Sequence, residues 1–232
     1  MYTLHIANKN YSSWSLRPWV LMQALNIPFT EKLHPFPGTN TWEAYRHFSP
    51  SGKVPCLETN GIAVWDSLAI AEYLAEEHPS VWPKDKSARA WARCASAEMH
   101  SGFQAIRNYC SMCCGVRIQL TEQPASLQKD IARIDELWCE GLKRFGGPFL
   151  AGAQFTAVDA FFAPVVFRVQ TYGLSLSKTA RDYIERMLNV PAMKAWYEAA
   201  LLETWREPHH EDEIMASGKL LNDFRATDKA SG

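Results

Sequence analysis

The segment from residue 49 to residue 74 constrains the fold most, because the period of its apolar residues changes part-way along it. Residues 56–58 and 62–64 alternate as strands do, and Thr59-Asn60-Gly61 between them predicts the turn of a hairpin. From residue 67 onward the apolar positions take the spacing of a helix. A hairpin followed at once by a helix predicts a unit in which sheet and helix pack together.

Val54-Pro55 stands at the corner before this hairpin. The residue before a proline is driven toward extended backbone, and an X-Pro bond is one of the few peptide bonds that adopts the cis form. An extended Val54 leaves its amide and carbonyl free to pair with a bound peptide, as an added strand would. The corner therefore predicts a site for a small peptide.

Asp66 and Ser67 open the helix that follows the hairpin. Ser67 is predicted as its N-cap, and the amides behind it form a carboxylate site, while Asp66 is suited to an ammonium group. Together they would hold the head group of an amino acid. An ordinary capped helix also explains this pair, but its distance from Val54-Pro55 favours a ligand site.

The N-terminal segment predicts a strand, a polar turn and a second helix start. Residues 2–6 alternate, and Pro18 limits the start of the next helix to residues 14–17, because proline is comfortable only in a first turn. Ser12 and Ser13 lie just before that start, where free amides and the positive end of the helix dipole point. A thiolate is stabilised at such a place, and a serine hydroxyl can donate a hydrogen bond to it.

Composition narrows the function classes. A formal net charge of −1 over 232 residues leaves no basic surface for nucleic acid or an anionic membrane. No apolar run has the length of a membrane span, and Met1 leads straight into the first strand, so we expect neither a span nor a signal peptide. Six cysteines indicate reduced thiols and a cytoplasmic location.

Strand patterns stop near residue 80, and helical patterns follow. This order predicts two sequential domains, residues 1–80 and 87–205, joined by a linker at 81–86 and followed by a polar C-terminal tail at 206–232. Helical spacing predicts five helices in the second domain, over residues 87–120, 125–145, 157–172, 178–188 and 191–202.

The motifs, in this order, resemble the cytosolic glutathione transferases. Pro50 to Leu57 matches the family's loop of Pro, Gly or Asn, a polar residue, Val-Pro and Leu, and Asp66-Ser67 matches its Glu/Asp-Ser step. The resemblance covers residues 1 to about 205. It implies an α/β thioredoxin-like N-terminal domain followed by an all-α C-terminal helical domain, with glutathione as co-substrate, no metal, and a homodimer.

The resemblance also assigns roles to residues. Ser12 aligns with the serine that activates the thiol, Ser13 is its neighbour, and Ser12-Ser13-Trp14-Ser15 matches the zeta-like Ser-Ser-Cys-Ser run except for the cysteine. Tyr11 is a rival hydroxyl, since other classes use tyrosine. The remaining assignments are glutathione-binding residues Lys53, Val54, Pro55, Asp66 and Ser67, and acceptor-site candidates Tyr11, Trp14, His100 and Arg107.

The implied activity is that of a serine-type bacterial glutathione transferase in detoxification, which activates the thiolate for attack on a small electrophile. Two alternatives stay open. One is glutathione-dependent cis-trans isomerisation, as in the maleylacetoacetate isomerases, and the other is a non-catalytic binding or assembly module. A cysteine-dependent reductase is disfavoured, because no cysteine stands at Ser12 or Ser13.

Three further motifs are predicted to be structural. Cys110-Ser111-Met112-Cys113, with Cys114 beside it, falls late in the predicted helix at 87–120, away from the strand-to-helix setting of redox motifs. The acidic run at 209–213 is predicted to be a solvated tail rather than a metal site. Thr156 and Asp159 have the spacing of a capping box.

Overall fold

The computed structural model describes residues 1–38 and 40–226 of the chain. Its first part is a four-stranded mixed sheet in the order β2-β1-β3-β4, in which β1 and β2 run parallel and the other neighbours antiparallel. The strands are β1 (Tyr2–Ile6), β2 (Phe29–Leu33), β3 (Cys56–Thr59) and β4 (Ile62–Trp65). The helices of this part are α1 (Ser13–Ala24), α2 (Thr41–Tyr45) and α3 (Ser67–Glu77). This arrangement confirms the thioredoxin-like prediction.

The predicted hairpin is confirmed. β3 pairs with β4 in a register that sets Leu57 opposite Val64. Asn60 and Gly61 have φ values of 48° and 77°, which is the positive-φ pair that a two-residue hairpin turn of the favoured twist requires. The bond between Val54 and Pro55, just before β3, is cis.

The second part of the chain is helical, apart from one short strand pair. A 3-10 turn (Pro79–Val81) leads to α4 (Lys86–Ser101), α5 (Gln104–Tyr109), β5 (Val116–Leu120), α6 (Ala125–Phe145), α7 (Ala157–Tyr172), α8 (Lys178–Leu188), α9 (Pro191–Leu202), α10 (Pro208–Ser217) and β6 (Gly218–Asp223). The predicted bounds of α6 to α9 are confirmed. None of the helices in the described residues is both long and apolar enough to cross a membrane.

The single helix predicted over residues 87–120 is wrong. α4 ends at Ser101, Phe103 takes left-handed backbone with φ of 59°, and the chain then forms α5, a loop and β5. β5 pairs antiparallel with β6, about a hundred residues later in the chain. Apolar spacing within residues 87–120 carries no information about that distant partner, so the pattern favoured a helix.

The polar tail predicted at 206–232 is folded over the residues that the structure describes, although His209, Asp212 and Glu213 of the acidic run are exposed as predicted. Residues 208–223 form α10 and β6, and the Arg225 side chain is only 2% exposed, in ion pairs with Glu211 and Asp223. Residues 227–232 lie outside the described residues. The described part of the chain holds no cluster of metal-ligating side chains, at 209–213 or elsewhere.

The capping box before α7 is confirmed and is completely buried at Asp159. The Asp159 carboxylate accepts hydrogen bonds from the backbone amides of Thr156 and Leu150, each at 3.0 Å, and from the Tyr183 hydroxyl at 3.0 Å. It therefore joins the start of α7, the preceding loop and α8. Since α7 is buried along nearly its whole length, this junction supports the core of the helical part.

We expect Asp159→Ala to lower the free energy of unfolding by about 3 kcal/mol, because it removes a cap and leaves two buried donors without an acceptor. Urea denaturation followed by circular dichroism measures the loss. The matched control is Asp182→Ala, since Asp182 lies exposed on α8 in an ion pair with Lys178 and should cost less than about 0.5 kcal/mol. Equal effects of the two substitutions would contradict the structural role of Asp159.

Candidate functional site

Helix α1 begins at Ser13, one residue before the range of 14–17 that the sequence predicts. Ser12 is its N-cap, and Pro18 lies within the second turn. Proline is accommodated there at the loss of one backbone hydrogen bond. No side chain among the described residues caps this end. The Ser13 amide donates to the Tyr11 carbonyl at 2.8 Å, which leaves the amides of Trp14 and Ser15 available to a ligand.

The hydroxyls near this end form a short chain. Ser12 Oγ donates to Ser15 Oγ at 2.7 Å, and Ser15 Oγ also accepts from the Ala7 amide at 3.3 Å. The Ser13 hydroxyl has no hydrogen-bond partner among the described residues. Ser12 and Ser13 are both largely buried and both line the same cleft.

Tyr11 lines that cleft too, but its hydroxyl is committed elsewhere. It donates to Glu211 Oε1 at 2.6 Å and lies 3.2 Å from a guanidinium nitrogen of Arg225. Burial, and then the bond to Glu211, raise the pKa of Tyr11 above its ordinary value. The geometry therefore disfavours Tyr11 as the hydroxyl that activates a thiol, and leaves its ring as a wall of the cleft.

Val54 and Asp66 face one cavity of about 430 Å³. Lys53, Pro55 and Ser67 line it as well, so the structure brings together the five residues that the sequence assigns to glutathione. Ser67 is not the N-cap of α3, as the sequence predicted. Asp66 takes that position, with φ of 75° and its carboxylate accepting from the Leu68 amide at 2.8 Å.

His100 belongs to the Asp66 end of the site. Its Nε2 lies 3.4 Å from Asp66 Oδ2, and it is absent from the described residues that line the acceptor-side cleft. Burial lowers the pKa of His100, while Asp66 acts in the opposite direction. Its role in binding the acceptor stays a prediction. The position of His100 beside Asp66 argues against that role.

The second cavity has a volume of about 350 Å³ and lies between the two parts of the chain. Trp14, Lys53 and Val54 line both cavities, so the two adjoin. The remaining walls come from Phe36, Thr41, Tyr45, Arg107, Ser111, Met112, Arg168, His210 and Glu213, together with Tyr11, Ser12 and Ser13. A peptide-sized groove therefore opens into a mixed apolar and cationic cleft at the N-terminus of α1.

Trp14 forms the divide between the cavities, and arginines stack on its ring. The guanidinium of Arg17 lies 4.2 Å from the ring centroid, and that of Arg107 lies 4.9 Å away. The sequence predicts a role in the site for Arg107 but not for Arg17 or Arg168. Both could have been found in the sequence, because each is an arginine within a mainly apolar helix, Arg17 in α1 and Arg168 in α7.

The three clustered cysteines are unsuited to thiol chemistry. Cys110, Cys113 and Cys114 are fully buried in the loop between α5 and β5, rather than within a helix as predicted. Burial raises the pKa of Cys110 and of Cys113 to about 12, which keeps both protonated. Cys56, at the start of β3, is completely buried and packs as a small apolar residue.

Two segments of the chain match models of known protein families. Residues 11–77 match the glutathione S-transferase N-terminal domain, and residues 116–199 match the glutathione S-transferase C-terminal domain. The chain belongs to the glutathione S-transferase family. The first match includes the serines, Val54 and Asp66, and the second includes α7 and its capping box.

Curated proteins with a similar sequence include maleylacetoacetate isomerases and glutathione S-transferases. The chain is 28% identical over 195 residues to a probable maleylacetoacetate isomerase of Caenorhabditis elegans, covering 79% of this chain and 88% of that protein. It is 25% identical over 174 residues to glutathione S-transferase 1 of Dianthus caryophyllus, with 72% and 76% covered.

Solved structures agree on the fold. An unclassified glutathione S-transferase of Bombyx mori superposes with a TM-score of 0.70 at 19% identity, covering 94% of this chain and 99% of that one. A glutathione transferase homologue from Burkholderia, solved with bound glutathione, gives a TM-score of 0.64 at 20% identity, with 86% and 97% covered.

We expect Glu211→Ala to loosen the C-terminal segment, because it leaves the buried Arg225 with one carboxylate and Tyr11 without an acceptor. The local stability of residues 208–225 should fall by about 2 kcal/mol. Hydrogen exchange of the β6 amides, compared with those of α7, measures this. Asp212→Ala is the matched control, since Asp212 is exposed on the same helix. Unchanged exchange in Glu211→Ala would refute the proposed anchoring.

Proposed function

We propose that the protein is a glutathione transferase in which the thiolate of bound glutathione attacks a small electrophile. The observation that carries this proposal is the N-terminus of α1, which has no side-chain cap among the described residues and lines one cavity with Val54, beside the cavity that Val54 and Asp66 line together. Free helix amides and the dipole stabilise an anion at that place. A ligand sulfur held there would be ionised more readily than in water.

Ser12 is the hydroxyl that we assign to the sulfur. When its proton turns toward the ligand, Ser12 Oγ can accept a hydrogen bond from Ser15, whose own oxygen is held by the Ala7 amide. Hydrogen bonds in such a chain polarise one another, which makes Ser12 the stronger donor. Ser13 lacks this support, so its part is secondary.

The rest of glutathione would follow the groove from α1 to α3. Val54 would pair with the cysteinyl backbone as an added strand does. Asp66 would hold the γ-glutamyl ammonium, and the amides at the start of α3, with Ser67, would hold the adjoining carboxylate. Lys53 is exposed and lines both cavities, so it can reach a further carboxylate.

The reaction needs no group beyond the two substrates. The sulfur forms a bond to an electrophilic carbon, and either a leaving group departs with the bonding electrons or, at a conjugated double bond, the neighbouring carbon takes a proton. The protein contributes thiolate stabilisation and the positions of both substrates.

We expect Ser12→Ala to raise the pKa of the bound glutathione thiol and to shift the pH–rate profile to higher pH, because the thiolate loses a donor. Turnover should fall about tenfold to a thousandfold, the scale of removing one donor from a reacting anion. Titration of the ultraviolet thiolate absorbance reports the pKa directly. Ser101→Ala, at an exposed helical serine, is the control. A shift with Ser13→Ala but not with Ser12→Ala would move the role to Ser13.

We expect Asp66→Asn to weaken glutathione binding about tenfold to a hundredfold, since an ion-assisted hydrogen bond to the ammonium is lost. Asparagine is as good an N-cap as aspartate, so the helix start is preserved. Asp85→Asn is the matched control, because Asp85 caps α4 in the same way with its carboxylate 2.8 Å from the Ala88 amide. Calorimetric titration measures both. Equal affinities of the two variants would exclude Asp66 from the site.

Cis-trans isomerisation is the second candidate, and the isomerase relative favours it. It uses the same thiolate, which adds to a conjugated double bond and leaves again after rotation. Trp14 in place of the zeta-like cysteine argues against it. Liquid chromatography coupled to mass spectrometry of a cis-enone incubated with glutathione separates the two. A transferase product gains the mass of glutathione, whereas the isomerase returns a trans product of unchanged mass that elutes apart from the cis substrate. No turnover by a protein that binds glutathione would indicate a binding module.

We also propose a cytoplasmic homodimer. Ile62 and Trp65 are about half exposed on β4, beside an apolar hollow that α3 completes with Leu68 and Ala69. An exposed apolar surface of this kind is typical of an interface. Light scattering, which gives the molar mass in solution, tests the dimer.

A further inference from the structure

Two arginines from separate helices line the acceptor side of the cleft, and a third lies behind the Trp14 wall. Arg17 comes from α1, Arg107 from α5 and Arg168 from α7. Arg17 is 1% exposed and Arg168 is 4% exposed. Arg107 and Arg168 line the 350 Å³ cavity that also contains Ser12 and Ser13.

None of the three guanidiniums has a carboxylate within ion-pair distance in residues 1–38 and 40–226. Arg168 donates through Nε to the Cys110 carbonyl at 2.8 Å, while one of its terminal nitrogens is buried without any partner. Arg107 donates to the carbonyls of Met99 and Gly102. Arg17 reaches only the Ser67 hydroxyl, at 3.4 Å, and its Nε is likewise buried without a partner.

These charges also oppose one another. Burial, and then the charge of Arg107, lower the pKa of Arg168 to about 10. Burial lowers the pKa of Arg17, and Arg107 and Arg168 add to that effect. The charge of Asp66 opposes this lowering of the Arg17 pKa. Removing a cation from water without an anion is costly, and three together are not explained by folding alone. An anion that binds between them would offset this cost.

The surrounding groups leave room for such an anion. Glu213 is the one carboxylate among the described residues that line this cleft, and its side chain is 45% exposed and lies 3.5 Å from His209. Phe36 and Met112 add apolar walls. The inner end of the cleft is therefore cationic, whereas its only negative group lies toward solvent.

We propose that the electrophilic substrate carries a carboxylate, which Arg168 and Arg107 bind at the inner end of the cleft while the reacting carbon faces the sulfur at Ser12. This inference rests on the proposed function, since it names the substrate class of the same site. Arginine suits the task because its planar fork matches the two oxygens of a carboxylate. Trp14, with Arg17 stacked behind it, forms the adjoining wall.

The test compares two glutathione conjugates that differ by one charge, S-(4-carboxybenzyl)glutathione and S-(4-carbamoylbenzyl)glutathione. S-methylglutathione serves as the reference for the glutathione groove alone. Calorimetric titration of the full chain should show the carboxylate conjugate binding about tenfold to a hundredfold more tightly than the neutral one, the range for a charge-assisted hydrogen bond.

Arg168→Met should reduce that preference to about twofold or less and leave S-methylglutathione binding unchanged. Arg181→Met is the matched control, because Arg181 is an exposed arginine of α8 that also donates to a backbone carbonyl. Arg107→Met is the second variant, to be used where Arg168→Met fails to fold, and the same loss of preference is expected of it.

Equal affinity of the wild-type protein for the two benzyl conjugates would overturn the inference. So would an undiminished preference in folded Arg168→Met or Arg107→Met. A parallel loss of S-methylglutathione affinity in these variants would show that the bound anion is a carboxylate of glutathione itself, which also overturns it. Failure of the wild-type protein to bind S-methylglutathione would instead refute the proposed function on which the inference rests.

Discussion

The first turn of α1 has no side-chain cap among the described residues, and the loop before it is held in place by contacts with distant segments. The loop before α1 is anchored to α9: the amides of Lys9 and Asn10 donate to Glu203, the Asn10 side chain donates to the Ala200 carbonyl, and Trp196 donates to the Lys9 carbonyl. The site in the first part of the chain is thus positioned by a helix of the second. A ligand at the α1 amides therefore meets a surface that is already ordered.

The C-terminal segment extends this dependence to the far end of the chain. Glu211 on α10 and Arg225 after β6 hold the Tyr11 hydroxyl, so the residue just before the serines is fixed by groups about two hundred positions away. The same contact occupies the Tyr11 hydroxyl and leaves Ser12 and Ser13 as the other hydroxyls at the start of the helix. The proposed use of serine rather than tyrosine therefore rests on a tertiary contact, and not on the residue types alone.

Charge divides the groove into two regions of different chemistry. The α3 end offers Asp66 with helix amides behind it, which suits a zwitterionic head group. The inner end of the cleft offers guanidiniums stacked on Trp14 and buried beside it, without a carboxylate partner in the described chain. A pocket of this kind differs from a purely apolar one, because it discriminates acceptors by charge as well as by shape.

Features that depend on residues close together in the chain could be predicted from the sequence. The turn at Asn60-Gly61, the bounds of α6 to α9, the Thr156–Asp159 box and the grouping of Val54 with Asp66 all follow from local backbone preference, apolar period or motif order. The tertiary structure decided the break after Ser101, the pairing of β5 with β6, the N-cap at Asp66 rather than Ser67, and the convergence of Arg17, Arg107 and Arg168. Each of these depends on contacts between segments far apart in the chain, which residue spacing within one segment cannot encode.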